Sequence, residues 1–160
     1  MRHLLSFPDP LNERAARIVA AAVLALALVT LGTGFYWLLL PLAYGFIART
    51  LAGPKLSPLA YLASRHIAPR LGPPTLVPGP PKRFAQGIGA VLSTVAATAA
   101  LGTGSHALAD GLLAALALAA GLESIFACCI GCRLFGLLMR AGLVPQSVCE
   151  DCADIWSRSR

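Results

Sequence analysis

The chain has 160 residues, of which 57% are hydrophobic and only 12% charged, with a mean hydropathy of +0.72 and a formal net charge of +6. An ordinary soluble domain carries about 25% charged residues, so this composition cannot coat a water-facing surface. The basic residues sit between apolar runs, which marks them as topology signals and argues against a nucleic-acid partner.

Residues 18–48 contain no charge. As one helix this run would be about 46 Å long at about 1.5 Å per residue, well beyond a hydrocarbon core of about 30 Å. Leu31-Gly32-Thr33-Gly34 breaks it in the middle, so the run predicts a helical hairpin with legs at 13–31 and 35–52. Arg14, Arg17 and Arg49 flank these legs and are expected to snorkel to the headgroups. Phe35, Tyr36 and Trp37 suit the outer interface. Residues 18–31 look like a secretory signal, but more apolar chain follows and no small-x-small cleavage site does, so the segment reads as a retained span.

Residues 53–83 hold Pro54, Pro58, Pro69, Pro73, Pro74, Pro78, Pro80 and Pro81. Prolines at that density exclude a continuous helix. The segment reads as a basic loop, with one short amphipathic helix at 59–67 lying on the membrane, Arg65 and His66 facing water, and 73–81 extended. A second hairpin is predicted over 84–127. Its first leg ends in Leu101-Gly102-Thr103-Gly104, so the same four letters close the outward leg of both hairpins, a weak internal repeat of about seventy residues.

In this arrangement every Lys and Arg falls on one side. Arg2, Arg14 and Arg17 precede the first leg; Arg49, Lys55, Arg65, Arg70, Lys82 and Arg83 fill the central loop; Arg133, Arg140, Arg158 and Arg160 follow the last leg. A three-span arrangement would scatter them. The expectation is an all-α integral protein of the cytoplasmic membrane, one domain of four short transmembrane helices in two hairpins, with both termini and the 53–83 loop in the cytoplasm. Residues 128–160 form a cysteine-containing cytoplasmic tail with a short helix after Pro145.

All five cysteines lie after residue 127. Cys129-Ile130-Gly131-Cys132 and Cys149-Glu150-Asp151-Cys152 are C-x-x-C pairs separated by sixteen residues, a spacing within the range of zinc sites. Four thiolates make the closed tetrahedral shell that a structural zinc-like ion needs, so Cys129, Cys132, Cys149 and Cys152 are candidate metal ligands. Thiol redox or sulfur handling is the competing chemistry: the first pair lies where a lipid-soluble quinone could reach it, and the second could exchange with a cytoplasmic thiol or sulfur-carrier protein. In outline this resembles the quinone-linked disulfide-forming membrane enzymes. Glu150 and Asp151 should raise the thiol pKa of the second pair. Cys128 lies outside both pairs and reads as a small apolar residue. A third class is a scaffold that docks a partner through the Pro-rich loop.

Glu123 lies inside the last apolar run. A carboxylate in hydrocarbon is costly, so it is expected either to face the bundle interior, protonated or paired with an arginine, or to solvate at the inner interface. If buried, Glu123→Gln should be tolerated. Asp110 and His106 sit near the outer turn and read as interfacial and solvated.

The chain resembles a bacterial membrane family catalogued as domain of unknown function 4395. The resemblance rests on Phe7-Pro8-Asp9-Pro10-Leu11-Asn12-Glu13, Ala43-Tyr44-Gly45-Phe46-Ile47-Ala48-Arg49, Pro78-Gly79-Pro80-Pro81-Lys82-Arg83-Phe84-Ala85-Gln86, and the two cysteine pairs. It implies a polytopic membrane protein with paired cysteines, with Cys128 outside the pattern, and no assigned activity.

Overall fold

The computed structural model describes residues 10–145 and residue 148. Six α-helices carry the architecture: α1 (Glu13–Thr33), α2 (Leu39–Ala52), α3 (Pro58–Leu62), α4 (Gly79–Ala97), α5 (His106–Phe126) and α6 (Ile130–Arg140). The described residues are all-α apart from one two-residue antiparallel pairing, Leu11↔Val77 and Asn12↔Leu76. With the Glu13 N–H bond to the Thr75 carbonyl, 2.8 Å, this pairing ties the start of α1 to the segment that leads into α4.

α1 packs on α5, α5 on α4, and α4 on α2, whereas α1 and α2 scarcely touch. Small residues set this closeness. Ala15, Ala20 and Ala27 of α1 and Ala109, Ala117 and Ala120 of α5 are buried, a composition that lets backbones approach where lipid removes the usual hydrophobic drive. On the other side, a Cβ on Gly89 would lie 2.3 Å from Phe46 Cε1, so α4 receives the ring of α2 where it has no side chain. The outside of the bundle is apolar as well: Leu28, Val29, Leu40, Ile47, Leu51, Val91, Val95, Leu118 and Ile125 are exposed. Among the described residues three helical segments are long and apolar enough to cross a membrane, Glu13–Thr33, Gly79–Gly102 and His106–Phe126. With such an exterior the chain is a membrane protein. Residues 36–52 fall short of that length as an α-helix, because Tyr36–Leu38 forms a 3-10 turn and α2 has 14 residues.

The two LGTG segments close in the same way. Gly34 and Gly104 adopt left-handed φ angles of 67° and 69°, a conformation glycine enters without steric cost. The threonine before each bonds back one turn, Thr33 Oγ1 to the Val29 carbonyl at 2.7 Å and Thr103 Oγ1 to the Ala99 carbonyl at 2.9 Å. The second leg reaches its turn through a wider π turn, Thr98–Gly102. Both turns lie at one end of the bundle, where the Tyr36 hydroxyl donates to Asp110 at 3.0 Å and its ring stacks on His106 at 4.6 Å. His106 is exposed, as expected, but it is the first residue of α5 and stacks on a ring instead of lying in a loop.

The proline-rich segment carries the short helix expected at 59–67 and departs from expectation where it runs into α4. Pro58–Leu62 is helical, with Ser57 as N-cap, and continues through a π turn at Ala63–Ile67 and a 3-10 turn at Ala68–Leu71. Arg65 and His66 are exposed as predicted. Residues 79–81 are not extended: Pro80 and Pro81 open α4, where the first-turn N–H groups have no helical partner and proline loses nothing. Lys82 and Arg83 consequently belong to α4 and not to the loop.

The basic residues expected to snorkel act as braces. Arg17 donates from Nε and Nη2 to the Ser124 carbonyl at 3.1 and 3.0 Å, capping the end of α5. Arg14 donates to the Leu71 carbonyl and holds the loop under α1. Arg49 does not snorkel: it is 5% exposed and turned into the bundle.

Candidate functional site

α5 is capped by Ala127, which takes a left-handed conformation, φ 55°, and reverses the chain. The reversal lets α6 start immediately and pack on α4. Cys129 is the N-cap of α6: its Sγ accepts the Cys132 N–H at 3.3 Å. The pair thus sits at a helix N-terminus after the reversal. A Cβ on Gly131 would lie 2.7 Å from Ala85 Cα, so glycine between the two cysteines allows α6 to seat directly on α4. The Phe84 and Phe135 rings, 5.6 Å apart, secure the same contact.

This seating brings the two sulfurs of the pair to 2.7 Å, the Cys132 thiol donating to Cys129 Sγ. Cys129 is buried, and Cys128 and Cys132 are half-buried. The donated hydrogen bond holds the Cys129 thiol below its ordinary pKa, outweighing desolvation, which acts the other way; Lys82 adds to the lowering and Glu123 opposes it. The same hydrogen bond, reinforced by burial, pushes Cys132 up. Of the two thiols Cys129 is the one held lower, and it sits at a helix start, an electropositive setting that favours reactive cysteines.

Glu123 faces the bundle, and its partner is a lysine instead of the expected arginine. Lys82 Nζ donates to Glu123 Oε1, with the two side chains 8% and 15% exposed. Arg49 lies nearby on α2, its Nε donating to Gln86 Oε1 at 2.8 Å and its guanidinium over the Phe46 ring at 4.6 Å. Arg49 Nη2 has no acceptor, the one buried polar side-chain atom so left among the described residues. Ahead of these groups lies a cavity of about 270 Å³ between α1, α2, α4 and α5, stopped by the start of α6; its lining is apolar except for Arg49, Gln86, Glu123 and Cys129.

Of the residues singled out from sequence, the structure brings together Glu123, Cys129 and Cys132. Cys149 and Cys152, with the helix expected after Pro145, lie outside the described residues. Among the described residues no three His, Cys, Asp or Glu side chains gather as a metal site. Lys82, Arg49 and Gln86 were missed as site residues. The signal available for Lys82 was Glu123 itself, because a carboxylate inside an apolar helix requires a cation at the same depth.

The family model described as domain of unknown function (DUF4395) matches residues 11–140, and the chain belongs to this family. The match covers Cys129 and Cys132 and stops before Cys149. No curated protein and no solved structure matches the chain.

Proposed function

We propose that this family member is a dithiol protein of the cytoplasmic membrane, in which Cys129 and Cys132 pass between thiol and disulfide at the inner end of the helix bundle. The observation that carries the reading is the pair itself. Two sulfurs 2.7 Å apart close to a disulfide, about 2.05 Å, with a sub-ångström movement. Cys129 has the lowered pKa of an attacking thiol. The soluble partner is a cytoplasmic thiol or sulfur-carrier protein. A reducing compartment disfavours a stable structural disulfide and permits a catalytic one.

The topology that goes with this reading has four crossings. Residues 36–52 number 17, the lower end of the spanning range of about 17–25, and α2 packs along α4. All thirteen Lys and Arg lie outside the two turns, which supports a cytoplasmic side for both termini and the proline-rich loop. Reporters at Thr33 and Ser105 should then face outward.

The spacing of Cys129, Cys132, Cys149 and Cys152 favours a second reading, one structural zinc-like ion held by four thiolates. A redox titration separates the two. Purified protein equilibrated in glutathione buffers of graded ratio is alkylated and its Cys129–Cys132 peptide weighed. One two-electron transition supports the dithiol reading; a pair that never oxidises ends it.

A further inference from the structure

We infer that the cavity between α1, α2, α4 and α5 binds the ring of a quinone, with a ring carbonyl accepting from Arg49 Nη2 and the ring facing Cys129. The inference rests on the dithiol reading and names the oxidant for it. Arg49 is 5% exposed and its Nη2 finds no acceptor. A buried guanidinium donor without a partner is costly, and a ligand oxygen in the cavity removes that cost. The Nε bond to Gln86 and the Phe46 face fix the guanidinium plane, so the free donor has a set direction.

The rest of the cavity sets the ligand class. Val19, Val23, Leu92 and Leu116 line it and offer no hydrogen bonds to a hydrated anion, and the nearby Lys82 ammonium is already taken by Glu123. A molecule with one acceptor and an apolar body fits these walls. A volume of about 270 Å³ is just under the range of about 300–1,000 Å³ for drug-sized ligands, so one substituted ring enters and an isoprenoid tail stays outside. The reaction balances without another reagent. The Cys129 and Cys132 thiols give up two electrons and two protons, the S–S bond forms, and the quinone becomes the quinol.

The test uses the reduced full chain in lipid nanodiscs with decylubiquinone as probe. Binding is read by calorimetry, quinol by absorbance, and thiol loss by alkylation and mass spectrometry; diamide serves as a soluble oxidant of the same pair. The expected result is quinone binding with one quinol formed per Cys129–Cys132 disulfide. Arg49→Gln, and separately Ala120→Phe, which fills the cavity, should each weaken binding at least tenfold while diamide still oxidises the pair. Oxidation by diamide without quinone binding by the wild-type chain overturns the inference and leaves the dithiol reading standing. Binding unchanged in both variants overturns the assigned site. A pair that neither oxidant closes removes the dithiol reading and this inference together.

Discussion

At the turn end of the bundle, Tyr36 bonds to Asp110 and stacks on His106, and the glycines of both LGTG segments have open space around them. At the opposite end Lys82, Glu123, Arg49, Cys129 and Cys132 are packed among helices, and the charges act on one another. Both ends carry polar side chains; at the inner end Arg49, Lys82 and Cys129 are buried, whereas at the turn end Tyr36 and Asp110 are half-buried and His106 is exposed. A polar group near water can lose a partner and recover it from solvent; a buried one cannot. Each group at the inner end is therefore held by its neighbours, and the reactive pair is held with them.

The comparison is broken most severely by removing one partner of the buried ion pair. Lys82→Met leaves Glu123 without its cation and should destabilise the protein by about 3–5 kcal/mol, measured by denaturant unfolding in micelles. Adding Glu123→Leu should restore most of the loss. The Lys82 pairing also reverses the expectation for Glu123→Gln, which now strands a buried ammonium and should be destabilising; equal stability of Lys82→Met and the double variant would show that the two groups are independent. A smaller effect comes from adding the same methyl at each end. Gly131→Ala drives a Cβ into Ala85 and should cost about 1–3 kcal/mol by overpacking. Gly32→Ala meets nothing within 4 Å and should gain about 0.5–1 kcal/mol from reduced chain entropy. Thermal midpoints of the two variants moving in opposite directions is the outcome to look for.

The smallest effects concern single hydrogen bonds. Cys129 is held below its ordinary pKa by the Cys132 thiol, so its alkylation rate should rise with pH to a midpoint below that of a free thiol. In Cys132→Ala the stabilising donor is gone and the midpoint should move to higher pH. An unchanged profile would mean that the hydrogen bond does not set the Cys129 pKa. At the turn end, Tyr36→Phe should leave the unfolding midpoint unchanged within error.

The sequence made α1, α5 and the two turns legible, because a charge-free run too long for one crossing must fold back and glycine marks where. It also pointed to Glu123, Cys129 and Cys132 through residue types that are costly or reactive in an apolar setting. Arg49 and Lys82 were hidden for a physical reason. The one-sided distribution that makes basic residues good topology markers is blind to which of them point inward, and Arg49 and Arg17 sit alike at helix ends. The early start of α4 was hidden by Pro80 and Pro81, which break a helix anywhere except in the first turn they occupy. The seating of α6 depended on a left-handed Ala127, a conformation for which alanine gives no sequence signal.

Metal content and thiol state measured on the same purified sample test the central claim most directly. The account predicts protein without stoichiometric zinc, in which diamide removes two alkylatable thiols that map to Cys129 and Cys132 and dithiothreitol restores them. One zinc per chain, lost in each of the single Cys→Ser variants at Cys129, Cys132, Cys149 and Cys152, would contradict it.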